Sequence, residues 1–365
     1  MREVPKLLQM RIAQVTPVYY PHIGGVETNV KEISERLTKR GFKVDVLTTD
    51  PSGKLPREEI IDGVEVRRFR SWAPNEAYFF SPALKKWLAR KSGDYHIVHA
   101  HGYSAFPALY AAETKRANRL VFTSHYHGGA HTSIRNLLHI PYKYLGANIF
   151  EKADRVIFVS NYEKALATRR FHLDERKIVV IPNGVDTKEF DALEKKRDNN
   201  NKVILYVGRL EKYKGVHYVV SALPKLDRRI RLEIVGKGPY KAALLKLTAT
   251  LGLGDRVRFY QDLSREELLR KYSEADLFVL LSDREAYGIT VAEALASETV
   301  CLVAAKSALT EWIDDKNCFG IDYPIDLDKL IALINEVIGK KATAPHLLDW
   351  DDVTKKVIDV YQEIM

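Results

Sequence analysis

The sequence predicts two doubly wound α/β domains, and three observations support this fold class. The chain has 365 residues, which is too long for one ordinary hydrophobic core and suits two domains. Short apolar runs alternate with helical patterns in both halves, as βαβ units with parallel sheets require. Between the halves, the turn PNGV leads into a charged, Asn-rich passage at 182–202 that ends one periodic region.

Seven apolar runs are the predicted strands of the first half. The helix that follows the first strand places Val26, Val30, Ile33 and Leu37 on one face, and Gly41 ends it. The predicted strands are RIAQVT (11–16), KVDVLTT (43–49), VEVRRF (64–69), HIVHA (96–100), LVFTS (120–124), RVIFVS (155–160) and KIVVIP (177–182).

The second half repeats the alternation with five predicted strands. They are VILYVG (203–208), RLEIVG (231–236), RVRFY (256–260), DLFVLLS (276–282) and TVCLVAA (299–305). We place the first domain at 1–190 and the second at 200–345, and we expect 349–365 to form a helix that packs back on the first domain. A ligand cleft is expected where the carboxyl ends of the strands of both domains converge.

Composition excludes several classes of protein. The net charge of +9 favours anionic partners, whereas the scattered basic residues match no nucleic-acid-binding pattern. No apolar run is long enough to span a membrane, and the N-terminus has no secretory pattern. Cys301 and Cys318 lie in apolar contexts without metal-binding spacing, so we expect two reduced cysteines in a cytoplasmic protein.

Two stretches could bind phosphates. Gly24 and Gly25 open the first helix, where backbone N–H groups can approach an anion; a tight turn without a ligand explains the same pair. Arg209 and Lys214 follow the first strand of the second half, and their charges suit a diphosphate. A solvated basic loop is the alternative for this second stretch.

A third stretch, EAYGITVAE, combines two carboxylates with a helix start. Glu285 follows a strand, and Glu293 comes eight residues later, about one turn into the next helix. Between them, Gly288 and Ile289 present backbone N–H groups at the helix N-terminus. Each carboxylate could therefore bind sugar hydroxyls on one side of an anion. A helix-start Glu and an exposed Glu are the alternative.

Six motifs stand in an order that resembles the retaining GT-B glycosyltransferases of family 4. They are GGVE, SHYHG, PNGVD, GRLEKYKG, VGKGP and EAYGITVAEALA, and the similarity extends from about Arg11 to the terminal helix. The resemblance implies two Rossmann-like domains facing across a cleft. It also implies transfer of a hexose, with retention, from a UDP- or GDP-sugar to the hydroxyl of a lipid-linked or glycan acceptor. The nucleotide sugar is a co-substrate, and neither a cofactor nor a metal ion is expected.

The same resemblance implies roles for individual residues. Arg209 and Lys214 would neutralise the diphosphate as the glycosidic bond breaks, Glu285 would bind the hydroxyls of the transferred sugar, and Glu293 would bind the ribose. The donor-binding residues that it implies are Gly24, Gly25, Arg209, Lys214, Gly236, Leu263, Glu285, Tyr287, Gly288, Ile289 and Glu293.

The stretch HYHGGAHTS contains three histidines and raises the question of a metal site. No companion Cys, Asp or Glu stands at ligand spacing, so we expect no metal there. His125 ends a strand at the carboxyl edge of the sheet, where reacting groups belong. We interpret it as a catalytic contact to the donor sugar, as the resemblance implies. For His127 and His131, an acceptor contact and plain loop polarity are equally good interpretations.

The chain departs from the family pattern after Glu293. The family has a Gly-Pro pair and then a Gly-Gly pair, whereas this chain has Glu298 and Thr299, and no glycine from Lys306 to Leu309. The departure leaves the donor preference and the tightness of this loop open. The triplets DLD (326–328) and DWD (349–351) could suggest a metal–diphosphate site, but both stand at predicted helix starts, where Asp is favoured as a cap.

Two other functions compete with glycosyl transfer. A nucleotide-sugar epimerase shares the architecture but needs acid and base carboxylates around the sugar. A catalytically silent paralogue would serve as a binding subunit. The sequence also indicates a peripheral contact with the inner face of a membrane, through basic residues around Trp87 and Leu88 in ALKKWLARK (83–91); a core position for Trp87 and Leu88 is the alternative.

Overall fold

The fold is that of a computed structural model, which describes residues 10–128, 142, 145–191, 201–343 and 347–365. The chain divides into two compact units. Unit 1 comprises Met1–Asn183 together with Trp350–Met365, and unit 2 comprises Gly184–Asp349. Each unit is a parallel α/β sheet with its own hydrophobic core, which confirms the predicted fold class.

Each sheet has the strand order of a doubly wound fold. In unit 1 the order is β3-β4-β2-β1-β5-β6-β7-β8, and all neighbours are parallel except β3 and β4. In unit 2 the order is β11-β10-β9-β12-β13-β14, and all pairs are parallel. The strands are β1 (Arg11–Val15), β2 (Lys43–Asp50), β3 (Glu58–Ile61), β4 (Val64–Arg70), β5 (Ile97–His101), β6 (Arg119–Thr123), β7 (Arg155–Phe158), β8 (Ile178–Val180), β9 (Lys202–Val207), β10 (Ile230–Val235), β11 (Val257–Tyr260), β12 (Leu277–Leu280), β13 (Cys301–Ala304) and β14 (Cys318–Ile321).

Helices connect the strands, and several begin at a residue whose side chain caps the helix. Ser81, Ser160 and Asp326 each accept a hydrogen bond from a backbone N–H of the first turn, which satisfies one donor that lacks an intrahelical partner. Within the described residues, α-helices include α1 (Gly25–Lys39), α2 (Pro82–Lys91), α3 (Phe106–Glu113), α4 (Asn161–Phe171), α5 (Thr187–Asp191), α6 (Val216–Ala222), α7 (Lys241–Thr250), α8 (Arg265–Glu274), α9 (Ile289–Ala296), α10 (Leu327–Val337) and α11 (Trp350–Glu363).

The central strands are rich in Val, Ile and Leu and are buried along most of their length. All four residues of β12 and of β13 are buried, as expected for parallel strands covered on both faces. Two strands have no counterpart in the sequence prediction. β3 lies at an edge with alternating exposed residues, and β14 carries a glycine. Both therefore lack the apolar run that marks the other strands.

The boundary between the units lies before 190. Residues 184–190, assigned to the first domain on the sequence, belong to unit 2, where Val185 N donates to Leu348 O and Phe190 packs in the core. The C-terminal helix α11 belongs to unit 1 and contacts α1. Arg40, at the C-terminal end of α1, pairs with Asp351 of α11 at 2.7 Å. Among the helices of the described residues, none has the length and apolarity that crossing a membrane requires.

Candidate active site

A lysine–glutamate ion pair lies at the carboxyl edge of the sheet of unit 2. The strand order reverses between β9 and β12, and ligands of doubly wound sheets bind in the crevice beside such a reversal. Lys214 follows β9 and Glu285 follows β12, and Lys214 Nζ lies 2.5 Å from Glu285 Oε1. The side chains are 15% and 14% exposed. Burial, the largest single effect, acts to lower the pKa of Lys214, but the charges of Glu285 and Tyr213 and the hydrogen bond to Glu285 together outweigh it, so this pKa is raised.

A close backbone approach shapes the edge beside this pair. Gly236 follows β10 with φ 150°, and a Cβ at this position would collide with the carbonyl oxygen of Gly208, just past β9. The next residue, Arg209, accepts a hydrogen bond on its carbonyl from the Tyr206 hydroxyl at 2.8 Å. Its guanidinium is half-exposed and lies 3.5 Å from Glu211. Any side chain at Gly236 would therefore displace the backbone that carries Arg209.

The N-terminus of α9 lies directly after Glu285 in the chain. Gly288 precedes the helix with φ 98°, in the left-handed region that favours glycine, and Ile289 is the first helical residue. The first backbone N–H groups of a helix have no intrahelical acceptor and carry partial positive charge. The Tyr287 carbonyl accepts a hydrogen bond from Trp312 Nε1 at 2.8 Å, which holds the entry to the helix.

Glu293 lies one turn into α9, as the spacing predicts, and both of its carboxylate oxygens are engaged. Arg265 Nη1 donates to Oε1 at 2.5 Å, and the Tyr272 hydroxyl donates to Oε2 at 2.8 Å. Arg265 also pairs with Glu189 at 2.7 Å. Burial acts to lower the pKa of Arg265, but Glu293 and Glu189 raise it. Each carboxylate oxygen can accept a second hydrogen bond, so Glu293 is oriented by these partners and can still accept hydrogen bonds from a ligand.

Leu263 lies in the loop after β11, where it is half-buried and packs against the core of unit 2. The preceding residues are fixed by ion pairs and hydrogen bonds: Lys237 pairs with Asp262, and Lys241 Nζ donates to Gln261 Oε1 at 2.9 Å. The structure thus gives Leu263 an ordered position. Its predicted contact with the nucleoside stays a prediction.

In unit 1, Gly24 and Gly25 form the N-terminus of a 15-residue helix. Gly24 is the N-cap of α1 and Gly25 its first residue. The carboxylate of Glu27 lies against Gly24, where a Cβ would collide with it. This acid complements the positive helix end, as first-turn acids do. Glu27 must move aside before an anion can approach Gly24.

His125 lies two residues beyond β6, one step further from the strand than the sequence indicates. Its backbone is left-handed, with φ 50°, and the residue is half-buried. Its Nε2 atom is buried and has no hydrogen-bond partner within the described residues. Burial and then the nearby His127 lower the pKa of His125 to about 4, so its imidazole is neutral at physiological pH. His131 lies outside the described residues.

Two further histidines lie beneath His125 and escaped sequence analysis. His99 and His101 are completely buried on β5, with ring centroids 4.2 Å apart, and the His101 ring stacks toward His125 at 6.1 Å. Burial lowers the pKa of His99 to about 3 and that of His101 well below its usual value. The alternation HAH begins inside the predicted strand 96–100, and extending that strand by one residue would have placed both histidines on one face.

Hydrogen bonds connect the buried histidines to the C-terminal helix. Gln14 Nε2 donates to the Tyr361 hydroxyl at 3.3 Å, and His99 Nδ1 is hydrogen-bonded to the same hydroxyl at 2.7 Å. His99 Nε2 is hydrogen-bonded to Thr123 Oγ1 at 2.7 Å. Since Gln14 Oε1 accepts from His101 Nε2 at 2.7 Å, the neutral His101 keeps Nδ1 as an acceptor.

The Asp-x-Asp triplets have structural partners. Asp326 caps α10 by accepting from Lys329 N at 2.9 Å, and Asp351 in α11 pairs with Arg40. Within the described residues, no group of three or more His, Cys, Asp or Glu side chains is placed to hold a metal ion. The structure thus brings Lys214 and Glu285 together, places Glu293 on the following helix, and adds Arg265 and Tyr272 as its partners.

Comparisons with known proteins identify the family of the chain. The family model described as Glycosyltransferase Family 4 matches residues 23–189, and the one described as Glycosyl transferases group 1 matches 187–350. An uncharacterized glycosyltransferase of Methanocaldococcus jannaschii is 30% identical, over 98% of this chain and 99% of the relative.

Two more distant proteins extend the comparison. The phosphatidylinositol N-acetylglucosaminyltransferase GPI3 subunit of Saccharomyces cerevisiae is 24% identical, over 97% of this chain and 83% of the relative. The structure of Anabaena HepE in complex with UDP and glucose has a TM-score of 0.76 at 18% identity, covering 97% of this chain and 100% of that chain. The structural likeness supports the shared two-domain fold.

Proposed function

The chain belongs to the family 4 glycosyltransferases of GT-B fold, and we propose that it transfers a hexose with retention from a UDP- or GDP-sugar. The acceptor in this proposal is the hydroxyl of a lipid-linked or glycan molecule. The observation that carries the proposal is the ion pair of Lys214 and Glu285 at the switch point of the second sheet, beside the N-terminus of α9. A cation, a carboxylate and a helix N-terminus together match a phosphate attached to a sugar.

The charges explain how the donor would enter. Without a ligand, Glu285 neutralises Lys214. A bound diphosphate would take over the positive charge of Lys214, with Arg209 as a second cation, and would release Glu285 to accept hydrogen bonds from sugar hydroxyls. As the glycosidic bond breaks, negative charge grows on the distal phosphate, where Lys214 and the N–H groups of Gly288 and Ile289 would stabilise it.

Unit 1 would supply uncharged groups to the same reaction. The neutral His125 has a buried Nε2 available for a sugar hydroxyl, and its lone pair suits the positive charge of an oxocarbenium-like transition state. Gly24 and Gly25 would approach the diphosphate through their backbone N–H groups. The ribose would bind Glu293, which Arg265 and Tyr272 hold in place, and the nucleoside would lie along Gly236 and Leu263.

A screen of donors followed by product analysis tests the proposal. UDP-, GDP- and ADP-sugars should be compared by thermal shift, because a ligand that binds only the folded state raises its stability. The donor with the largest shift is then incubated with acceptors, and NMR of the product reports the anomeric configuration. Retention supports the proposal, and inversion contradicts it. Interconversion of nucleotide sugars would indicate an epimerase, and binding with neither transfer nor hydrolysis would indicate a silent paralogue.

Metal independence is part of the proposal. Lys214, Arg209 and the N-terminus of α9 provide the positive charge that a divalent cation supplies to the diphosphate in other transferases. Activity should therefore survive an excess of EDTA. Loss of activity with EDTA, reversed by Mg²⁺ or Mn²⁺, would contradict this part.

A peripheral contact with an anionic membrane, as at the inner face of a cell membrane, remains part of the proposal, but its aromatic anchor changes. Trp87 is half-buried against Phe69 and Tyr95, and Leu88 is buried, as the core alternative predicted. The exposed aromatic side chains nearby are Trp72 (70%) and Phe80 (42%). Phe80 lines a groove of about 440 Å³ together with Lys85 and Lys86.

Co-sedimentation with vesicles tests this contact. Binding to vesicles that contain phosphatidylglycerol should fall as salt rises, because each basic residue near an anionic surface contributes about 1 kcal/mol. Trp72→Ala and Lys86→Glu should each weaken binding, whereas Trp87→Phe should not. If the protein does not bind at low salt, the membrane contact is wrong and a soluble acceptor is favoured.

A further inference from the structure

The loop 305–312, which lacks the family's glycines, is bonded directly to the segment that carries Glu285. Ser307 Oγ accepts a hydrogen bond from Glu285 N at 3.0 Å, and Ala308 N donates to Glu285 O at 3.3 Å. Further along, Trp312 Nε1 donates to Tyr287 O. Both backbone groups of Glu285 are therefore bonded to this loop.

Ser307 occupies a conformation that a glycine would adopt more easily. Its φ is 56°, in the left-handed region, and the residue is 5% exposed. Its hydroxyl donates to Lys306 O at 2.6 Å while it accepts from Glu285 N, so both functions of the hydroxyl are used. A strained non-glycine residue persists only where its surroundings enforce it, and such residues concentrate at functional sites.

The Ser307 hydroxyl is bonded to the residue that would bind the transferred sugar. The side chain of Glu285 is held at one end by Lys214, and its backbone is held at the other by Ser307. A bound diphosphate would take Lys214 away from this carboxylate. The backbone hydrogen bonds from Glu285 to the loop 305–312 would then hold the carboxylate in position against the sugar. This position matters because a small displacement of a reacting group lowers the rate strongly.

We infer that Ser307 is a positioning residue for Glu285. Where the family pattern has a flexible glycine, this chain has a serine whose hydroxyl holds the backbone N–H of Glu285. The inference rests on the proposed function, in which Glu285 binds the transferred sugar. The clamp acts mainly on the sugar step, because Ser307 is bonded to Glu285 itself, whereas the proposed ribose ligand Glu293 and its partners Arg265 and Tyr272 lie on other segments.

Three variants of the full chain test this role. Ser307→Gly removes the hydroxyl and relieves the backbone strain, and Ser307→Ala removes the hydroxyl but keeps the strain. Asp315→Gly is the control, because it replaces another left-handed residue, with φ 54°, in an exposed position. Each protein is assayed for amide hydrogen exchange of 284–288, melting temperature, affinity for UDP and GDP, and kcat with UDP-glucose, UDP-N-acetylglucosamine and GDP-mannose.

Ser307→Gly should speed amide exchange at Glu285 and lower kcat about tenfold, while nucleotide affinity stays within about twofold and the melting temperature does not fall. Ser307→Ala should lose a similar part of kcat and melt earlier, and Asp315→Gly should match the wild type. An active wild type whose Ser307→Gly variant keeps its kcat, or loses kcat and nucleotide affinity together, overturns the inference alone. A wild type that binds these nucleotide sugars without transfer or hydrolysis overturns the proposed function, and the inference with it.

Discussion

The carboxyl edges of the two doubly wound sheets differ in their electrostatics. In unit 2 the edge is ionic: Lys214 pairs with Glu285, and Arg265 with Glu293. In unit 1 the edge is neutral, because burial lowers the pKa values of His99, His101 and His125. A buried titratable group is tolerated either with a counter-charge or in its uncharged form. The first solution suits a phosphate ligand, and the second suits sugar hydroxyls.

The largest expected effect comes from removing the carboxylate on the ionic side. Glu285→Ala should lower kcat by about a thousandfold, because a contact that strengthens in the transition state is lost. Affinity for the nucleoside diphosphate should stay nearly unchanged or rise, since Lys214 loses its competitor. Steady-state kinetics and calorimetry with the nucleotide measure both quantities. A variant with more than a tenth of wild-type turnover would show that Glu285 does not bind the reacting sugar.

On the neutral side, His125→Ala should lower kcat by about a hundredfold and leave nucleotide affinity unchanged. His125→Asn, which keeps a polar side chain, should retain more activity. Because the pKa of His125 is lowered to about 4, the rate should show no inflection from this imidazole near pH 6.5. If a pH profile of kcat/KM inflects near 6.5 in the wild type but not in His125→Asn, the neutral edge is disproved.

The neutral state of the buried histidines in unit 1 should also make its stability depend on pH. The folded pKa of His99 is about 3, against 6.5 for an exposed histidine, so its contribution is full above pH 6.5 and is lost as pH falls. Lowering the pH from 6.5 to 5 should reduce the free energy of unfolding by about 2 kcal/mol through this histidine alone. Urea unfolding at both pH values should therefore show a smaller loss in His99→Gln. His22→Gln, at an exposed position, should behave as the wild type does.

The smallest effect concerns the ribose contact. Glu293→Gln should weaken the affinity for nucleoside diphosphate about tenfold, because a charge-assisted hydrogen bond is replaced by a neutral one. Saturating turnover should change little. Tyr272→Phe removes only the hydroxyl that donates to Glu293 and should cost about twofold. Calorimetric titration with UDP and GDP measures both. Equal affinities in all three proteins would remove Glu293 from the nucleotide site.

Most of the fold could be predicted because parallel strands, which are buried on both faces, appear as apolar runs. The hairpin of β3 and β4 was missed although Asp62-Gly63 separates the two strands, with φ 49° and 83°. An Asp-Gly turn is a strong hairpin signal, but the strand before it, EEII, has too few apolar residues to mark it. β14 was missed because it is a short strand interrupted by Gly320.

The candidate site was predictable where one short motif contains the residue. Lys214, Glu285 and Glu293 follow strands or helix starts that the alternation locates. Their partners were not predictable, because Arg265 meets Glu293 across two helices and Ser307 meets Glu285 across two strand ends. Such contacts depend on tertiary packing, and a single sequence gives no signal for them. The same reason hid the bond of His99 to Tyr361, which are 262 positions apart.

That last bond sets the order in which the molecule can be completed. Tyr361 closes the polar chain inside unit 1, yet residues 184–349, which form unit 2, are synthesised before it. At about 5–20 residues per second, this interval lasts roughly 8–33 s. Until α11 emerges from the ribosome, His99 and Gln14 lack the hydroxyl that joins them. Unit 1 therefore receives its last helix only after all of unit 2 has been synthesised.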